Sequence, residues 1–587
     1  MTANGLIKLE NILKKGDIFG LPSGIIGNDY RVDNLLYNRI PELGLKISKG
    51  TTVEPREGWP GTIITQISRY SLANAVGLRN PGINKTLEII ANNLRIPKNK
   101  VYMLQLAGSN EEEFAEMSKR IRNSDAYSKI DCIEVNVFCP NTSDHDAFTK
   151  EMHRLGSIVH KIKEITGKAI FVKLAPRIQD IARFAVHMIE AGAYGISGIN
   201  TDGPNEFKVD DNYVLYNKTG GFSGDAVFEK GLNAFKEINK AFKARFSDRE
   251  IPYIVYGGIR SADQIREYGK TYEEIHGKKG KLIFAPGTSL HSSTTETIIR
   301  YFAQLKKDLR EGTNEAEKLL DSKERFYRPF ILSENRTIDE GLHLLEFNDP
   351  IESQPGQYVF AWLPEFGGIE KPFTILDNNP LTLLVKTRGE FTKRLNSIDD
   401  KGPVALRKVY IKGSYGKEMD LFDPTRNIFA VGGGCGVAAL YPVLDINNEN
   451  RKYAFLGFAN KKQAEMNVIF GNLLNTEVFV STDDKSFGFK GNVVELLEKT
   501  IEKLHPDRND VALNCGPDAM VYNAIKVELR YFDRSNIISA PEFMTRCGEG
   551  ICAIGCATNA GYRSCVDGPF LALDKLLVEK EIKCEHW

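Results

Sequence analysis

Eight short, almost wholly apolar runs punctuate the first half of the chain: SGIIGN (23–28), LGLKIS (43–48), VYMLQLAG (101–108), CIEVNVF (132–138), AIFVKLA (169–175), GISGINT (195–201), YIVYGGI (253–259) and LIFAPGT (282–288). Runs of this kind are parallel strands covered on both faces. The segments between them carry helical periodicity, as in AFTKEMHRLGSIVHKIKEIT (147–166). Eight strand–helix units predict a (β/α)8 TIM barrel, with an open doubly wound sheet as the alternative. Polar residues gather at the C-terminal ends of the runs, where such barrels carry chemistry: Lys49, Cys139, Asn141, Asn200, Thr201, Gly257, Gly258 and Gly287.

A charged helical stretch at 301–324, broken at Gly-Thr-Asn, marks a boundary. Beyond Arg325 the pattern shortens to alternating strands between turn residues (GLHLLEF, GQYVFAWL, KPFTIL, LTLLVKT, LRKVYIKG), which predicts an antiparallel β-barrel. At IFAVGGGCGVAALYPVLD (428–445) a strand enters a glycine loop and then a helix, and strand–helix alternation follows. The predicted architecture is therefore multidomain α/β and β: a TIM barrel over 1–312, an antiparallel barrel over 325–425, an α/β nucleotide-binding domain over 426–538 and a small cysteine-rich domain over 539–587.

Composition narrows the partners. Lys plus Arg (77) balances Asp plus Glu (77) over 587 residues, which speaks against a nucleic-acid or anionic-membrane surface. No apolar run approaches the roughly 20 residues of a membrane helix, and the N-terminus lacks a secretory apolar core. Nine cysteines are too few for a disulfide scaffold, yet four of them crowd together as Cys547, Cys552, Cys556 and Cys565 between glycines. With no export signal, that crowding reads as metal ligation in a reducing, cytoplasmic compartment.

Two constellations carry chemistry. The run IEVNVFCPNTS ends a strand with Asn136, Cys139 and Asn141: carboxamides that hydrogen-bond a planar, amide-rich ring, and a thiol that removes a proton. With it come KGTTVEPREGWP (49–60), NAVGLRNPG (74–82), FVKLAP (171–176), GINTDG (198–203), GGFSG (220–224), VYGGI (255–259) and APGT (285–288). In this order and spacing, over about residues 20–300, the chain resembles the dihydroorotate dehydrogenase family, specifically its NAD-linked class 1B. The resemblance implies an FMN at the barrel mouth, with Lys49 touching flavin and substrate and Lys173 near the flavin N1/O2 edge. Gly224, Gly257, Gly258, Gly287 and Thr288 would hold FMN, the last four around its phosphate. Asn74, Gly77, Leu78, Asn136, Asn141, Asn200 and Thr201 would grip the pyrimidine, and Cys139 would be the general base, with Lys49 beside it in the catalytic set.

From about 325 to 570 the chain resembles the electron-transfer subunit that partners class 1B enzymes, a ferredoxin–NADP reductase relative. The residues are QPGQYVF (354–360), KPFTIL (371–376), KTRGEFTKRL (386–395), GSYG (413–416), VGGGCGVAAL, NCGPDAM (514–520) and the cysteine run. This implies FAD held by Lys371, Pro372, Phe373, Thr374, Gly389 and Thr392, and NAD held by Gly432, Gly433, Gly434, Cys515 and Gly516. It also implies a [2Fe–2S] cluster on the four clustered cysteines, with zinc as the alternative for the same ligands. The implied activity is oxidation of dihydroorotate to orotate in de novo UMP synthesis, with electrons passing from FMN through [2Fe–2S] and FAD to NAD+, both halves fused in one chain. The expected partners are a small-molecule dihydropyrimidine and a second copy of the chain through the TIM barrel, with no nucleic acid and no membrane. A uracil- or thymine-type dihydropyrimidine dehydrogenase, or a non-catalytic barrel carrying an NADH-driven electron-transfer module, are the alternatives.

Overall fold

The computed structural model describes the chain except for residues 1–2, 16–18, 27–28, 137–151, 322, 420–422, 424, 447–448 and 578–587. It divides into two compact units, one of Met1–Glu324 with Glu549–Ile554, the other of Arg325–Gly548 with Gly555–Trp587.

The first unit is built on a closed parallel barrel of eight strands: β1 (Phe19–Leu21), β2 (Leu43–Ile47), β3 (Val101–Leu106), β4 (Cys132–Val135), β5 (Ala169–Lys173), β6 (Gly195–Gly198), β7 (Tyr253–Val255) and β8 (Leu282–Phe284). Each strand pairs with its sequence neighbour, and β1 closes the ring against β8. Their residues are almost all buried, which accounts for runs without polar alternation. One expected strand is displaced. The first strand is Phe19–Leu21, and the apolar 23–28 run lies beyond it. Ile25 faces a cavity instead, and Ile26 takes a left-handed φ of 56° that no strand accommodates. A four-stranded sheet of Ile64–Ser68, Ser71–Asn74, Thr219–Gly224 and Asp202–Glu206 is a separate element of this unit.

The second unit holds a closed six-stranded antiparallel barrel, spanning Arg328–Asp339 to Lys408–Tyr415. It also holds a seven-stranded sheet, parallel except at its final pairing, running from Ile428–Gly433 to Leu571–Ala572. Helices Val437–Leu444 and Asp518–Glu528 bury apolar faces in this unit, as strand–helix alternation predicts. The expected fold class is observed in both units: a TIM barrel, then an antiparallel barrel and an α/β sheet. Among the described residues no helix is long and apolar enough to cross a membrane.

Candidate active site

A cavity of about 1060 Å3, including its open mouth, lies at the C-terminal ends of the barrel strands. Strand direction makes it: the residue following each parallel strand points toward the same end of the barrel. Lys49, Asn74, Leu78, Asn136, Lys173, Asn200, Thr201, Gly224, Gly257, Gly258, Gly287 and Thr288, all singled out in the sequence, line it together. Gly77 does not; at φ +72° it shapes the turn against Trp59. Cys139 and Asn141 lie outside the described residues.

The lining residues are held in place by local bonds. Asn74 donates through Nδ2 to the Gly221 carbonyl at 2.9 Å. Asn200 Oδ1 accepts from the Thr201 amide at 2.9 Å, and its own amide donates to the Leu174 carbonyl at 2.8 Å. Lys173 is buried and its Nζ stands 5.2 Å from the centre of the Tyr256 ring. Two glycines admit backbone where no side chain fits. At Gly224 (φ +82°) a Cβ would collide with the Tyr70 carbonyl, and at Gly258 (φ +84°) it would meet Phe228 Cβ at 2.7 Å. Gly224 also N-caps the helix Asp225–Arg245. Glycines that bare the backbone beside a helix start fit a phosphate group. One polar atom lacks a partner: Asn136 Oδ1 is buried at the cavity wall with no hydrogen-bond donor among the described residues. An amide-bearing ring ligand supplies such a donor, so the lining fits FMN and a pyrimidine.

Several lining residues were not read from the sequence. Ser23, Gln105 and Tyr256 reach the cavity, and behind them stands the fully buried Glu134 of β4. Its carboxylate accepts from Ser197 Oγ at 2.5 Å, from Tyr256 Oη at 3.0 Å and from Gln105 Nε2. Burial first, then the Glu134 charge, pushes the Tyr256 phenol well above its ordinary 10, so it stays a donor. Lys46, also buried, bonds the Ile25 carbonyl at 3.1 Å and stands 3.6 Å from Asp33, fixing the loop that walls the cavity. Ile551 completes the lining. Its segment is fastened to the barrel: Ile26 N donates to the Ile551 carbonyl at 2.9 Å, and Ser292 N to that of Glu549 at 2.8 Å. The Glu549 carboxylate meets His291 Nδ1 at 3.1 Å, while His291 Nε2 donates to the Arg69 carbonyl. No local sequence signal marks this packing.

In the second unit, Lys371, Pro372, Phe373 and Thr374 occupy one edge of the strand Glu370–Asn378, paired with Tyr358–Trp362. Gly389 N-caps a short helix, and Thr392 Oγ1 accepts from the Arg388 amide at 2.8 Å. Lys386 and Arg388 lower the Cys435 thiol against the stronger upward push of burial, which places their loop beside the glycine loop. Gly432 is in register with Cys515, and a Cβ on Gly516 would stand 3.0 Å from the Gly433 amide. The five residues expected around the nicotinamide nucleotide thus converge at the ends of two adjacent strands.

The clustered cysteines are buried. Cys556 and Cys565 stand 3.6 Å apart, close to the roughly 3.8 Å between two thiolates of one tetrahedral centre with metal–sulfur bonds near 2.3 Å. Cys565, Cys547 and Cys556 all raise the Tyr358 phenol, after burial itself, so three thiols lie in that ring's neighbourhood. Cys552 belongs to the segment Glu549–Ile554 of the first unit. Among the described residues no group of three or more His, Cys, Asp or Glu side chains is disposed to hold a metal ion. The expected four-cysteine set is thus not a preformed shell; its donor chemistry suits iron or zinc, and one pair has ligand spacing.

Fold and cavity define a TIM barrel with a ligand site at its strand ends. Residues 13–271 match the family description "Dihydroorotate dehydrogenase". The catalytic subunit of dihydroorotate dehydrogenase B (NAD(+)) from Desulforamulus reducens is 32% identical over 234 residues, 40% of this chain and 73% of that protein. The corresponding subunit from Thermoanaerobacter pseudethanolicus is 32% identical over 267 residues, 45% of this chain and 81% of its own length. The chain belongs to the dihydroorotate dehydrogenase family and is an enzyme. A probable electron transfer subunit of dihydroorotate dehydrogenase B (NAD(+)) from Thermococcus kodakarensis is 29% identical over 252 residues, 43% of this chain and 98% of that protein. These relatives correct one expectation. The sequence implies a dihydropyrimidine as the small-molecule partner; the relatives are named for dihydroorotate itself.

Proposed function

We propose that this chain oxidises dihydroorotate to orotate and delivers the electrons to NAD+, with catalytic and electron-transfer parts on one polypeptide. The observation that carries the reading is the convergence of two lysines, three asparagines and a glycine cradle on one cavity at the strand ends. Lys49, Lys173, Gly224, Gly257, Gly258, Gly287 and Thr288 would hold FMN. Asn74, Asn136, Asn200 and Thr201, with Asn141 outside the described residues, would hold the pyrimidine. Cys139 Sγ would take the C5 proton as hydride leaves C6. FAD would rest on Lys371–Thr374, Gly389 and Thr392, NAD on Gly432–Gly434, Cys515 and Gly516, and a [2Fe–2S] cluster on the cysteine run of Cys547, Cys552, Cys556 and Cys565. When bound, the flavins exchange electron pairs with substrate and nicotinamide, and the cluster carries single electrons.

Anaerobic titration of the cofactor-loaded chain with dihydroorotate tests this. Flavin bleaching by dihydroorotate is expected, alongside an FMN, FAD and iron count per chain; bleaching by NADH alone overturns the reading. Cys139→Ser is expected to slow dihydroorotate-driven bleaching by about 10²-fold or more while leaving NADH-driven flavin reduction intact. If both half-reactions fall together, Cys139 is not the base.

A further inference from the structure

We propose that Glu134, which does not line the cavity, is a positioning residue that sets whether the cavity wall offers its ligand a hydrogen-bond acceptor or a donor. The inference rests on the reading of the cavity as a site for FMN and dihydroorotate, and names the polarity device within it.

Primary amides are ambiguous objects. Turning a carboxamide over exchanges its acceptor for its donors at almost no change in shape. Two such groups stand in series here. Gln105 Nε2 donates to the Glu134 carboxylate, so Gln105 Oε1 must face the other way. There it accepts from Ser23 Oγ at 2.8 Å and from Asn136 Nδ2 at 3.3 Å. Asn136 therefore commits its amino group to Gln105, and its Oδ1 is left as the buried acceptor with no donor among the described residues. A carboxylate only accepts, and rotation cannot turn it into a donor. It fixes Gln105, Gln105 fixes Asn136, and Asn136 is left with its carbonyl oxygen unpaired in the cavity wall. The matching ligand chemistry is a ring N–H, which both a flavin imide and dihydroorotate possess. A buried acceptor left unpaired discriminates against ligands lacking that N–H.

The test is a cycle of near-isosteric changes on the full, flavin-loaded chain. In Glu134→Gln the new amide keeps its oxygen toward the Ser197 and Tyr256 hydroxyls and turns its amino group toward Gln105. Two amino groups cannot face each other, so Gln105 and then Asn136 turn over, and the cavity N–H meets an N–H. The KM for dihydroorotate or the Kd for FMN should rise about tenfold or more, with kcat falling less than KM rises. Adding Gln105→Glu restores an acceptor-only group one step along. In the double variant the new amide at position 134 donates to the new carboxylate at position 105. That carboxylate accepts from the Asn136 amino group, and KM and Kd should return to within about threefold of the parent. FMN affinity, read by fluorescence quenching on deflavinated protein, and the dihydroorotate dependence of bleaching separate the two sources of the N–H. A rise in Kd assigns it to flavin, a rise in KM at full FMN occupancy assigns it to substrate, and either supports the relay. Should Glu134→Gln fail to fold, recovery of folding and FMN binding in the double variant supports it equally. The relay is overturned if Glu134→Gln changes neither constant, or if the double variant is no better than the single. Because FMN affinity needs no turnover, a protein that ignores dihydroorotate yet shows the rescue in Kd would defeat the proposed activity while leaving the relay standing.

Discussion

Glu134 in the first unit and Glu528 in the second are both completely buried, and they are treated differently. Glu134, inside the parallel barrel, accepts from three neutral donors on three other strands or strand ends: Gln105, Ser197 and Tyr256. Glu528 ends the helix Asp518–Glu528 behind the seven-stranded sheet and accepts from Asn514 Nδ2 alone, at 2.7 Å, while its Oε1 has no partner among the described residues. Burial raises Glu528 from 4.5 to about 8, only partly offset by the Asn514 bond. Its place at a helix C-terminus, the negative end of the helix dipole, does nothing to help the charge. A buried carboxyl with few donors around it tends to keep its proton. The first arrangement fixes geometry; the second leaves a group whose charge follows the solvent.

The sharpest way to break this comparison is to remove both carboxylates in the same way. Glu134→Leu strands three buried donors, each costing about 1–3 kcal/mol when unpaired, so the first unit should lose roughly 3 kcal/mol or more, or fail to fold. Glu528→Leu strands only Asn514, whose amino group keeps Ser539 Oγ at 3.2 Å, and should cost no more than about 1 kcal/mol. Denaturant unfolding of the two variants checks this; equal losses would mean that donor count does not distinguish the sites.

Next in size is a pH effect confined to the second unit. Between about pH 4.5 and 8 folded Glu528 holds a proton that the unfolded chain has released. Folding then takes up protons, so stability from this group is greatest at the acid end and is lost as pH rises toward 8. Hydrogen exchange in the strand Val511–Cys515, corrected for intrinsic rates, should show protection falling across that window. Glu528→Gln should flatten the profile. A flat profile in the parent chain would show that Glu528 is not protonated when folded.

The same contrast explains what was legible in the sequence. The barrel could be read because parallel strands covered on both sides leave unbroken apolar runs, and because the residues after them converge without knowledge of any long-range contact. The 23–28 run misled because apolar residues also line cavities: Ile25 is apolar for the cavity's sake, while the true strand, Phe19–Leu21, is three residues long and too short for a period. Glu134 left a trace, since it and Asn136 alternate with Ile133 and Val135 and so share a face, but one polar pair in a buried strand is a weak signal. Gln105, Tyr256 and Ile551 left none, because their roles come from neighbours distant in sequence. The cysteine run lies largely outside regular structure, so its spacing could name the donors but not their arrangement.

The smallest effect is the most diagnostic of how the Glu134 cluster divides its labour. Ser197 donates to Oε1, the oxygen that Tyr256 also serves, whereas Gln105 is held by Oε2. Ser197→Ala removes one donor without leaving an acceptor bare, and the hydroxyl's loss costs about 0.5–1.5 kcal/mol. In a unit this large that is a melting shift of roughly 1–3 °C. Gln105 keeps its bond, so Asn136 keeps its orientation. Stability should therefore fall while the dihydroorotate KM moves far less than in Glu134→Gln. A KM rise as large as that of Glu134→Gln would show that the cluster acts as one rigid body, with no separable arm toward the cavity.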